Sequence, residues 1–554
     1  MTTPAEGLAV THLPATQHAI QFTGPGAMVH NPAKPVPVPG PTQLVLRVEA
    51  NGICFSDTKL LHAWTRHPRK GPVLSGLPET VLAEIPSYTP DEQPGTPGHE
   101  CCARIVAVGA GVEHHRVGER VLVQTDYRHL PTRGANAAFG YNFEGGLQEY
   151  VLLDERMILD PATGERFLIP VADGPSGSAV ALLEPWACVE KSYSTRERRT
   201  LRTGGRLLVV VEAGAVVTGL DPLLEAAPPA QVVRLDPVDD ASLDALSDAR
   251  FDDIVYAGAS AGRIEALQEL LAPGGVLDVV LGGARVDRDV AVDVGRIHYD
   301  PIRFTGTTST SADDGYARIP PTGELRDGDT VAIVGAAGPM GFMHTIRAAT
   351  IGRTGLRVSA IDIDDARLAH LAEVAGPLAE AGGVEAEFVN SRLTPPANGW
   401  ATYVGVMVPA PQLVVQAVAM AAQGARLNLF AGFAVGTRAA LDLNVVIGRG
   451  LYLFGTSGSE IADMQAVLGR LEDGLLDTNV SLDAVCGMEG VGGALAAVEA
   501  RSSGGKIVVY PTLHDLGLVR LSELPERFPT VAAKLRDGRW NAEAEAELLA
   551  RAGA

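Results

Sequence analysis

An internal repeat in the second half of the chain limits the folds that this sequence can adopt. Residues 272–283 recur with changes at residues 422–433, 150 positions further on, and the strand-like segment 304–309 recurs at 453–458. In both copies short apolar strands alternate with helical stretches, a pattern typical of a parallel, doubly wound sheet. The repeat therefore predicts two α/β domains in tandem.

The two copies differ in length. Their first strands, residues 205–210 and 329–334, are only 124 positions apart, so the first copy is shorter by about 25 residues, lost from its front half. We predict domain boundaries at 201–320 for this degenerate copy and at 321–510 for the intact one.

Residues 1–200 indicate a different architecture. Strand–turn–strand patterns, such as 104–109 followed by 118–123, are interrupted by many prolines and glycines. These features predict a small β-rich, barrel-like domain, which helical patterns in residues 511–554 are expected to complete. The predicted fold class is thus α/β plus β.

Composition excludes several classes of partner. The 554-residue chain has a formal net charge of −21, which argues against nucleic acid and anionic membranes. Five cysteines, mostly far apart, form no disulfide framework and favour a cytoplasmic location. Residues 1–6 lack the character of a signal peptide, and no apolar run reaches the ~18–20 residues of a membrane span. We expect a small-molecule substrate.

The second copy carries a complete dinucleotide-binding signature. The strand 331–334 runs into a glycine-rich loop that opens an apolar helix, and Asp362 ends the next strand, 21 positions after the last glycine. Glycines permit close approach to a pyrophosphate, and the acid binds ribose hydroxyls, which favours NAD over NADP. The predicted cofactor-binding residues of this Rossmann-type domain are Gly335, Gly338, Pro339, Met340, Gly341 and Asp362.

The first copy keeps only Gly214 and Gly219 of this loop. Its following helix is interrupted by prolines and is too short to offer a good N-terminus. We expect no dinucleotide there, although its position directly after the β-rich domain would favour it as the cofactor domain.

Three short segments hold candidate metal ligands. Cys54 follows a strand, His99 and Glu100 follow a Pro-Gly pair, and Glu184 precedes a proline. A thiolate, an imidazole and carboxylates suit a catalytic zinc, which takes three protein ligands and keeps a position open. Cys54 and His99 are predicted ligands, and Glu100 and Glu184 compete for the third position. Three further cysteines are predicted to serve in packing, the last of them also as a reserve ligand: Cys101, Cys102 and Cys188.

These segments resemble the zinc-dependent medium-chain alcohol dehydrogenases, most nearly the polyol branch around sorbitol dehydrogenase and L-sorbose 1-phosphate reductase. The likeness covers nearly the whole chain and includes motifs at 39–41, 145–151 and 505–509. It implies a GroES-like β-barrel, with two Rossmann-type domains where the family normally has one. The family's zinc ligands match Cys54, His99 and Glu184, and the acid that matches Glu100 can join them.

The resemblance also assigns catalytic roles. Ser56 matches the hydroxyl residue that passes the substrate proton, and Asp57 matches the acid that orients the zinc histidine. Lys59 occupies the position at which many relatives carry a relay histidine. The four-cysteine lobe of many relatives has no counterpart between residues 120 and 150, so we expect one catalytic zinc and no structural zinc.

The implied reaction is the NAD-dependent interconversion of a secondary alcohol and a ketone. A polyol, cyclitol or sugar phosphate is the expected substrate. Two other functions are alternatives: a redox-neutral epimerase or lyase that retains NAD, and a non-catalytic NAD-binding sensor. The segment after Cys54 is either a solvated loop or a substrate-binding one. The candidate substrate contacts are Trp64, Arg66, Arg69, Lys70, Tyr127, Arg128 and Arg133.

The repeated segments 304–309 and 453–458 occupy matching edge positions in the two copies. An unpaired edge strand is a liability that pairing removes. Because dimers of the family pair such edges, we predict that the two copies pair within one chain and imitate a dimer. A homo-oligomer is the alternative.

Overall fold

A computed structural model describes residues 13–552, so the prediction about residues 1–6 lies outside the described range. The chain divides into two compact units: unit 1 comprises Met1–Ala187 and Gly458–Ala554, and unit 2 comprises Cys188–Ser457. This division differs from the predicted boundaries at 200 and 510. None of the helices within the described range is long and apolar enough to cross a membrane.

The first part of unit 1 is mostly β-structure. Its strands are β1 (Thr16–Gly24), β2 (Ala27–Pro35), β3 (Gln43–Ile53), β4 (Glu100–Val108), β5 (Arg120–Val123), β6 (Asp126–Thr132), β7 (Ala135–Ala138), β8 (Tyr150–Asp154) and β9 (Leu168–Pro170). Its helices are α1 (Phe55–Ala63), α2 (Glu79–Leu82), α3 (Gly177–Ala181) and α4 (Leu183–Ser194), the last of which includes the boundary residues 187 and 188.

Unit 2 alternates strands and helices. Its strands are β10 (Arg206–Val211), β11 (Gln231–Leu235), β12 (Phe251–Ala257), β13 (Leu271–Val280), β14 (Val290–Asp293), β15 (Arg303–Thr307), β16 (Thr330–Val334), β17 (Arg357–Asp362), β18 (Glu385–Asn390), β19 (Ala401–Val406), β20 (Ala421–Leu429), β21 (Arg438–Leu441) and β22 (Tyr452–Phe454). Its helices are α5 (Leu220–Ala226), α6 (Asp240–Asp244), α7 (Ala261–Glu269), α8 (Val294–Tyr299), α9 (Ala312–Ala317), α10 (Pro339–Thr350), α11 (Asp365–Ala381), α12 (Pro411–Met420) and α13 (Leu443–Gly448).

The last part of the chain returns to unit 1. Its strands are β23 (Leu482–Cys486), β24 (Lys506–Val509) and β25 (Val519–Arg520). Its helices are α14 (Ile461–Glu472), α15 (Val491–Glu499), α16 (Leu524–Arg527), α17 (Pro529–Ala532) and α18 (Ala542–Ala552).

The main sheet of unit 1 joins both parts of its chain. The strand order is β25-β23-β24-β3-β4-β5-β9, and β8 also pairs with β3. Antiparallel β24 places Ile507 opposite Ile53, just before Cys54, and both isoleucines are buried. Residues 458–510, which the sequence assigned to the second nucleotide domain, therefore belong with the β-rich domain. Apolar strands at 482–486 and 506–509 suit either sheet, and only their long-range pairing distinguishes the two.

Unit 2 contains one continuous eleven-stranded sheet. Its order is β11-β10-β12-β13-β15-β22-β20-β19-β16-β17-β18. The strands are parallel within each half, and the halves meet where β15 runs antiparallel to β22, with Phe304 opposite Leu453. A second antiparallel pair, β14 with β21, also joins the halves. The predicted combination of a β-rich domain with doubly wound sheet structure is confirmed.

The two halves share one topology. In chain order, the strands β10, β11, β12, β13 and β15 occupy the same relative positions in the sheet as β16, β17, β19, β20 and β22. The second half adds β18 at its outer edge and has a 17-residue helix, α11, between β17 and β18. This extra strand and helix correspond to the length difference in the sequence repeat.

Candidate active site

Three candidate metal ligands meet at one end of the β3–β4 pair in unit 1. Cys54 directly follows β3 and is the N-cap of α1, while His99 directly precedes β4 and Glu100 is its first residue. The antiparallel register places Gly52 opposite Glu100, which brings the two segments together. The ligand atoms of Cys54, His99 and Glu100 lie within 4.8 Å of one another. Within residues 13–552, this is the one group of three or more such side chains close enough to hold a metal ion.

Asp57 orients two of these ligands. Its Oδ1 is 3.2 Å from Nδ1 of His99, and its Oδ2 accepts a 2.9 Å hydrogen bond from the backbone N–H of Cys54. The other ring nitrogen of His99, Nε2, lies 3.1 Å from Oγ of Ser56. Burial alone would lower the pKa of His99, but Tyr141, Asp57 and Cys54 raise it well above its ordinary value. These surroundings favour positive charge at the imidazole, and a bound cation satisfies them as a proton does.

One carboxylate oxygen of Glu100 forms an ion pair, and the other has no hydrogen-bond partner. Its Oε1 lies 2.5 Å from Nζ of Lys506, while its Oε2 is buried without a hydrogen-bond partner. Gly52 provides the space, because a Cβ there would lie 2.0 Å from Oε2. A buried carboxylate oxygen without a partner is costly unless a cation or a donor satisfies it. The three side chains of Cys54, His99 and Glu100, called the donor set below, therefore fit a metal ion.

Lys506 is a site residue that sequence reasoning missed. It lies on β24, in the segment that the sequence assigned to the nucleotide domain, although the motif at 505–509 was a usable signal. Burial alone would lower the pKa of Lys506, but Glu100, Cys54 and Glu184 together raise it. The lysine therefore remains charged and balances the negative charge of the ligand set.

Glu184 is buried on α4 and does not belong to the group within 4.8 Å. Its charge nevertheless acts on Lys506 and on Arg69, so it lies near the donor set. The choice between Glu100 and Glu184 as the third ligand stays a prediction. Among the packing cysteines, Cys101 and Cys102 are fully buried in β4, and burial raises the pKa of both thiols.

Lys59, the predicted relay residue, is exposed on α1, and its Nζ lies 5.5 Å from the centre of the Phe55 ring. No hydrogen bond joins it to Ser56 in the described part of the chain. Its role in proton transfer stays a prediction.

Two rings and one guanidinium group, those of Tyr141, His67 and Arg69, lie beside the donor set. The Tyr141 ring lies 5.4 Å from the His99 ring, 5.1 Å from the His67 ring and 5.6 Å from the Arg69 guanidinium. Burial, followed by the charges of Arg69, Lys59 and His99, lowers the pKa of His67 to about 4, so this ring is neutral at pH 7. Sequence reasoning named Arg69 but missed Tyr141 and His67, which carry no local motif.

Three predicted substrate contacts are core residues instead. Trp64 is 5% exposed, with the Lys70 ammonium 4.9 Å from its ring centre. Lys70 is 1% exposed and donates hydrogen bonds to the carbonyls of Thr89 and Gln93. A buried indole cannot stack on a sugar, and a buried ammonium already bonded to carbonyls cannot bind a phosphate. Tyr127 is likewise fully buried.

The other basic candidates remain nearer the surface. Arg128 pairs with Glu460 within unit 1, at 2.7 Å. Arg66 and Arg133 are exposed.

The glycine loop of unit 2 has the predicted geometry. Parallel β16 and β17 bring the loop and Asp362 to the same edge of the sheet. Gly335 has φ +83°, and a Cβ on Gly341 would lie 2.2 Å from the carbonyl oxygen of Gly335. The Oδ2 of Asp362 accepts a 3.0 Å hydrogen bond from the N–H of Ala337. The loop is thus a tight turn that only glycines permit at these points.

The helix after the loop is long enough to present an N-terminus. Gly338 is the N-cap of the twelve-residue α10, and Pro339 and Met340 are its first residues. Arg367 lies beside the Asp362 carboxylate, 3.6 Å from Oδ1. In the first half, by contrast, Gly219 caps a helix of only seven residues, α5. The intact and the degenerate loop therefore differ in structure as the sequence predicts.

Comparison with known proteins identifies the β-rich domain. Residues 40–162, which include Cys54, His99 and Glu100, match the alcohol dehydrogenase GroES-like domain. This part of the chain is therefore similar to the zinc-type medium-chain alcohol dehydrogenases. The predicted resemblance to that family, and with it the GroES-like fold, is confirmed.

Several known proteins match this chain in part. An uncharacterized Escherichia coli K12 protein, YggP, is 25% identical over 345 residues, which cover 53% of the chain and 75% of YggP. The (R,R)-butanediol dehydrogenase of Bacillus subtilis 168 is 30% identical over 179 residues, 30% of the chain and 44% of that enzyme. Chicken sorbitol dehydrogenase is 33% identical over 91 residues, 16% of the chain and 20% of that enzyme. The chain thus spans less than half the length of these two named dehydrogenases.

Among solved structures, 2R,3R-butanediol dehydrogenase from Bacillus subtilis superposes with a TM-score of 0.51 at 16% identity. The alignment covers 90% of this chain and all of that one. At this identity the likeness shows the fold alone.

Proposed function

We propose that the protein is a zinc-dependent, nicotinamide-dependent oxidoreductase that interconverts a secondary alcohol and a ketone. The observation that carries the proposal is the convergence of Cys54, His99 and Glu100, together with the buried oxygen of Glu100 that has no hydrogen-bond partner. The family of its relatives and the intact glycine loop support the same reaction.

Cys54 and His99 would hold the zinc ion, with Glu100 or Glu184 as third ligand. When bound there, zinc supplies Lewis-acid polarisation of the substrate oxygen. The chain's own residues prepare the site. Asp57 fixes the His99 ring through Nδ1, which leaves Nε2 as the ring nitrogen available to a metal ion, and Lys506 balances the charge of Glu100.

Ser56 is the residue that we expect to accept the substrate proton. Its hydroxyl lies 3.1 Å from Nε2 of His99 and is only partly buried. A hydroxyl in this position can receive a proton from a substrate hydroxyl and pass it towards solvent. Lys59, on the exposed side of the same helix, is the proposed next group along this route.

The second half of unit 2 would bind the cofactor through its glycine loop. The pyrophosphate would face the N-terminus of α10, and Asp362 would bind the ribose hydroxyls, which favours NAD. A polyol, cyclitol or sugar phosphate is the proposed substrate class. Tyr141, His67 and Arg69 beside the donor set supply an aromatic face, a neutral imidazole and a cation for such a ligand.

The Cys54→Ser variant tests the metal proposal. We expect it to lose bound zinc and the NADH absorbance change together, because a hydroxyl is a much poorer zinc ligand than a thiolate. Metal analysis and a screen of polyols and sugar phosphates measure both in parallel. Cys486→Ser is the control, since Cys486 is buried on β23 and is not a member of the ligand group.

Full activity of Cys54→Ser, or a wild-type protein that binds no zinc, would refute the proposal. Tightly bound NAD without net NADH formation on any alcohol would instead indicate the redox-neutral alternative.

We also infer that unit 2 is an intramolecular counterpart of a nucleotide-domain dimer. The support is the antiparallel β15–β22 pair in the middle of one sheet, flanked by two halves with the same strand order. The degenerate half then serves to cover the edge strand of the cofactor-binding half.

A further inference from the structure

Four arginines line one cavity in unit 2, away from the glycine loop. The cavity measures about 290 Å³, and the basic residues around it are Arg318, Arg326, Arg426 and Arg449. Arg318 follows β15 in the first half, whereas the other three belong to the second half. The cavity therefore adjoins the antiparallel contact between β15 and β22, called the seam below. Tyr452 at the start of β22 also lines the cavity.

The positive charge of this cavity is mostly uncompensated. Asp329 pairs with Arg426, the two side chains lying 2.5 Å apart. Arg318 and Arg449 donate to the carbonyls of Ile447 and Ala421, at 3.0 Å in both cases. In the part of the chain that the structure describes, neither Arg318, Arg326 nor Arg449 forms an ion pair with a carboxylate. Such a concentration of arginine side chains is unexpected in a chain with a net charge of −21.

Two observations indicate that a ligand is expected here. Arg426 is only 2% exposed and its Nε has no hydrogen-bond partner, so within the described residues Asp329 is the one carboxylate paired with its charge. Partial burial and the neighbouring charge of Arg426 lower the pKa of Arg326, although Asp329 opposes them. Like charges held together without counter-ions cost free energy that a bound anion would recover.

The position separates this cavity from the cofactor. Tyr452, which pairs with Arg426 of β20, is the first residue of β22, and Asp329 directly precedes β16, whereas the glycine loop follows the carboxyl end of β16. In a parallel sheet the amino ends and the carboxyl ends of the strands lie on opposite sides of the sheet, so the cavity and the glycine loop are separate.

We propose that this arginine cavity is a second ligand site, which binds a small molecule carrying a phosphate or pyrophosphate group. Guanidinium groups donate charge-assisted hydrogen bonds to phosphate oxygens, and the positive charge of four of them around one cavity suits a polyvalent anion. The cavity exceeds the size of a single phosphate, so an organic phosphate fits the volume. Because its arginines come from both halves, the bound anion would also tie the halves of unit 2 together.

Calorimetric titration with inorganic pyrophosphate at physiological ionic strength tests the site. We expect saturable binding by the wild-type protein. Arg449→Gln and Arg326→Gln should each weaken it by about tenfold or more, the effect of losing a hydrogen bond to a charged group. Arg285→Gln is the matched control, since Arg285 is exposed in unit 2 and is not among the cavity residues.

The Arg326 variant keeps the test decisive if Arg449→Gln misfolds, because the Arg326 side chain is exposed. Pyrophosphate binding that is equal in wild-type and both cavity variants would lie elsewhere and would overturn the proposal. Absence of binding to the folded wild-type protein would overturn it as well.

Discussion

At the scale of single residues, Asp57 contacts two of the three candidate metal ligands. Its two carboxylate oxygens bond one to the His99 ring and one to the Cys54 backbone, and its side chain is only 1% exposed. One acid thus fixes two ligands that come from segments more than forty residues apart. The sequence named Asp57 through its neighbour Cys54 and through family resemblance, but its double contact follows only from the fold.

The Asp57→Asn variant should weaken zinc binding by about 10–100-fold, because residues that orient metal ligands have effects of this size. The amide keeps the shape but bears no charge to support His99. Competition with a chromophoric chelator measures the affinity, and circular dichroism checks the fold. Glu92→Gln, which removes an exposed charge in unit 1, should leave the affinity unchanged. Unchanged zinc affinity in the Asp57 variant would contradict the proposed role.

At the scale of elements, the turn between β16 and α10 shows how closely backbone segments approach. A Cβ on Gly341 would lie 2.2 Å from the Gly335 carbonyl oxygen and 2.6 Å from the Ala336 Cα. Both contacts are with backbone atoms, so no side chain can move aside to relieve them. The turn therefore depends on glycine at this position, whether or not a cofactor is bound.

The Gly341→Ala variant should lose NAD binding, measured by NADH fluorescence titration, because the turn must open to admit the methyl group. Gly376→Ala provides a matched control. Gly376 lies inside α11 with no atom within 4 Å of the added Cβ, and alanine there should stabilise the helix by about 0.5–1 kcal/mol. Wild-type NADH affinity in Gly341→Ala would show that the loop does not bind the cofactor.

At the scale of the whole molecule, the seam between β15 and β22 determines which sheet edges remain open. Both strands are interior in the eleven-stranded sheet, and β11 and β18 are its outer strands. A second copy of the chain therefore cannot pair with β15 or β22 while unit 2 is folded.

Light scattering should give the mass of one chain, 57.9 kDa, for the wild-type protein and for Phe304→Asp alike. Phe304 is 5% exposed at the seam, so its replacement should lower the free energy of unfolding by about 3–5 kcal/mol, measured in urea. Val232→Asp, on the outer strand β11 and half exposed, should change neither quantity. A wild-type dimer that Phe304→Asp dissociates would contradict the intramolecular pairing.

Local features of the sequence determined the elements and most of the ligand set. Glycine spacing and strand-to-helix alternation are local patterns, and together with the repeat they predicted the glycine loop and the fold class. The residue types of two short segments, together with the family resemblance, predicted the grouping of Cys54 with His99. Tertiary structure alone decided where residues 458–510 belong, the burial of Trp64 and Lys70, the pairing of Lys506 with Glu100, and the arginine cavity. These features depend on contacts between residues tens to hundreds of positions apart. Strand pairing and burial bring such residues together, and no local pattern of residue types records them.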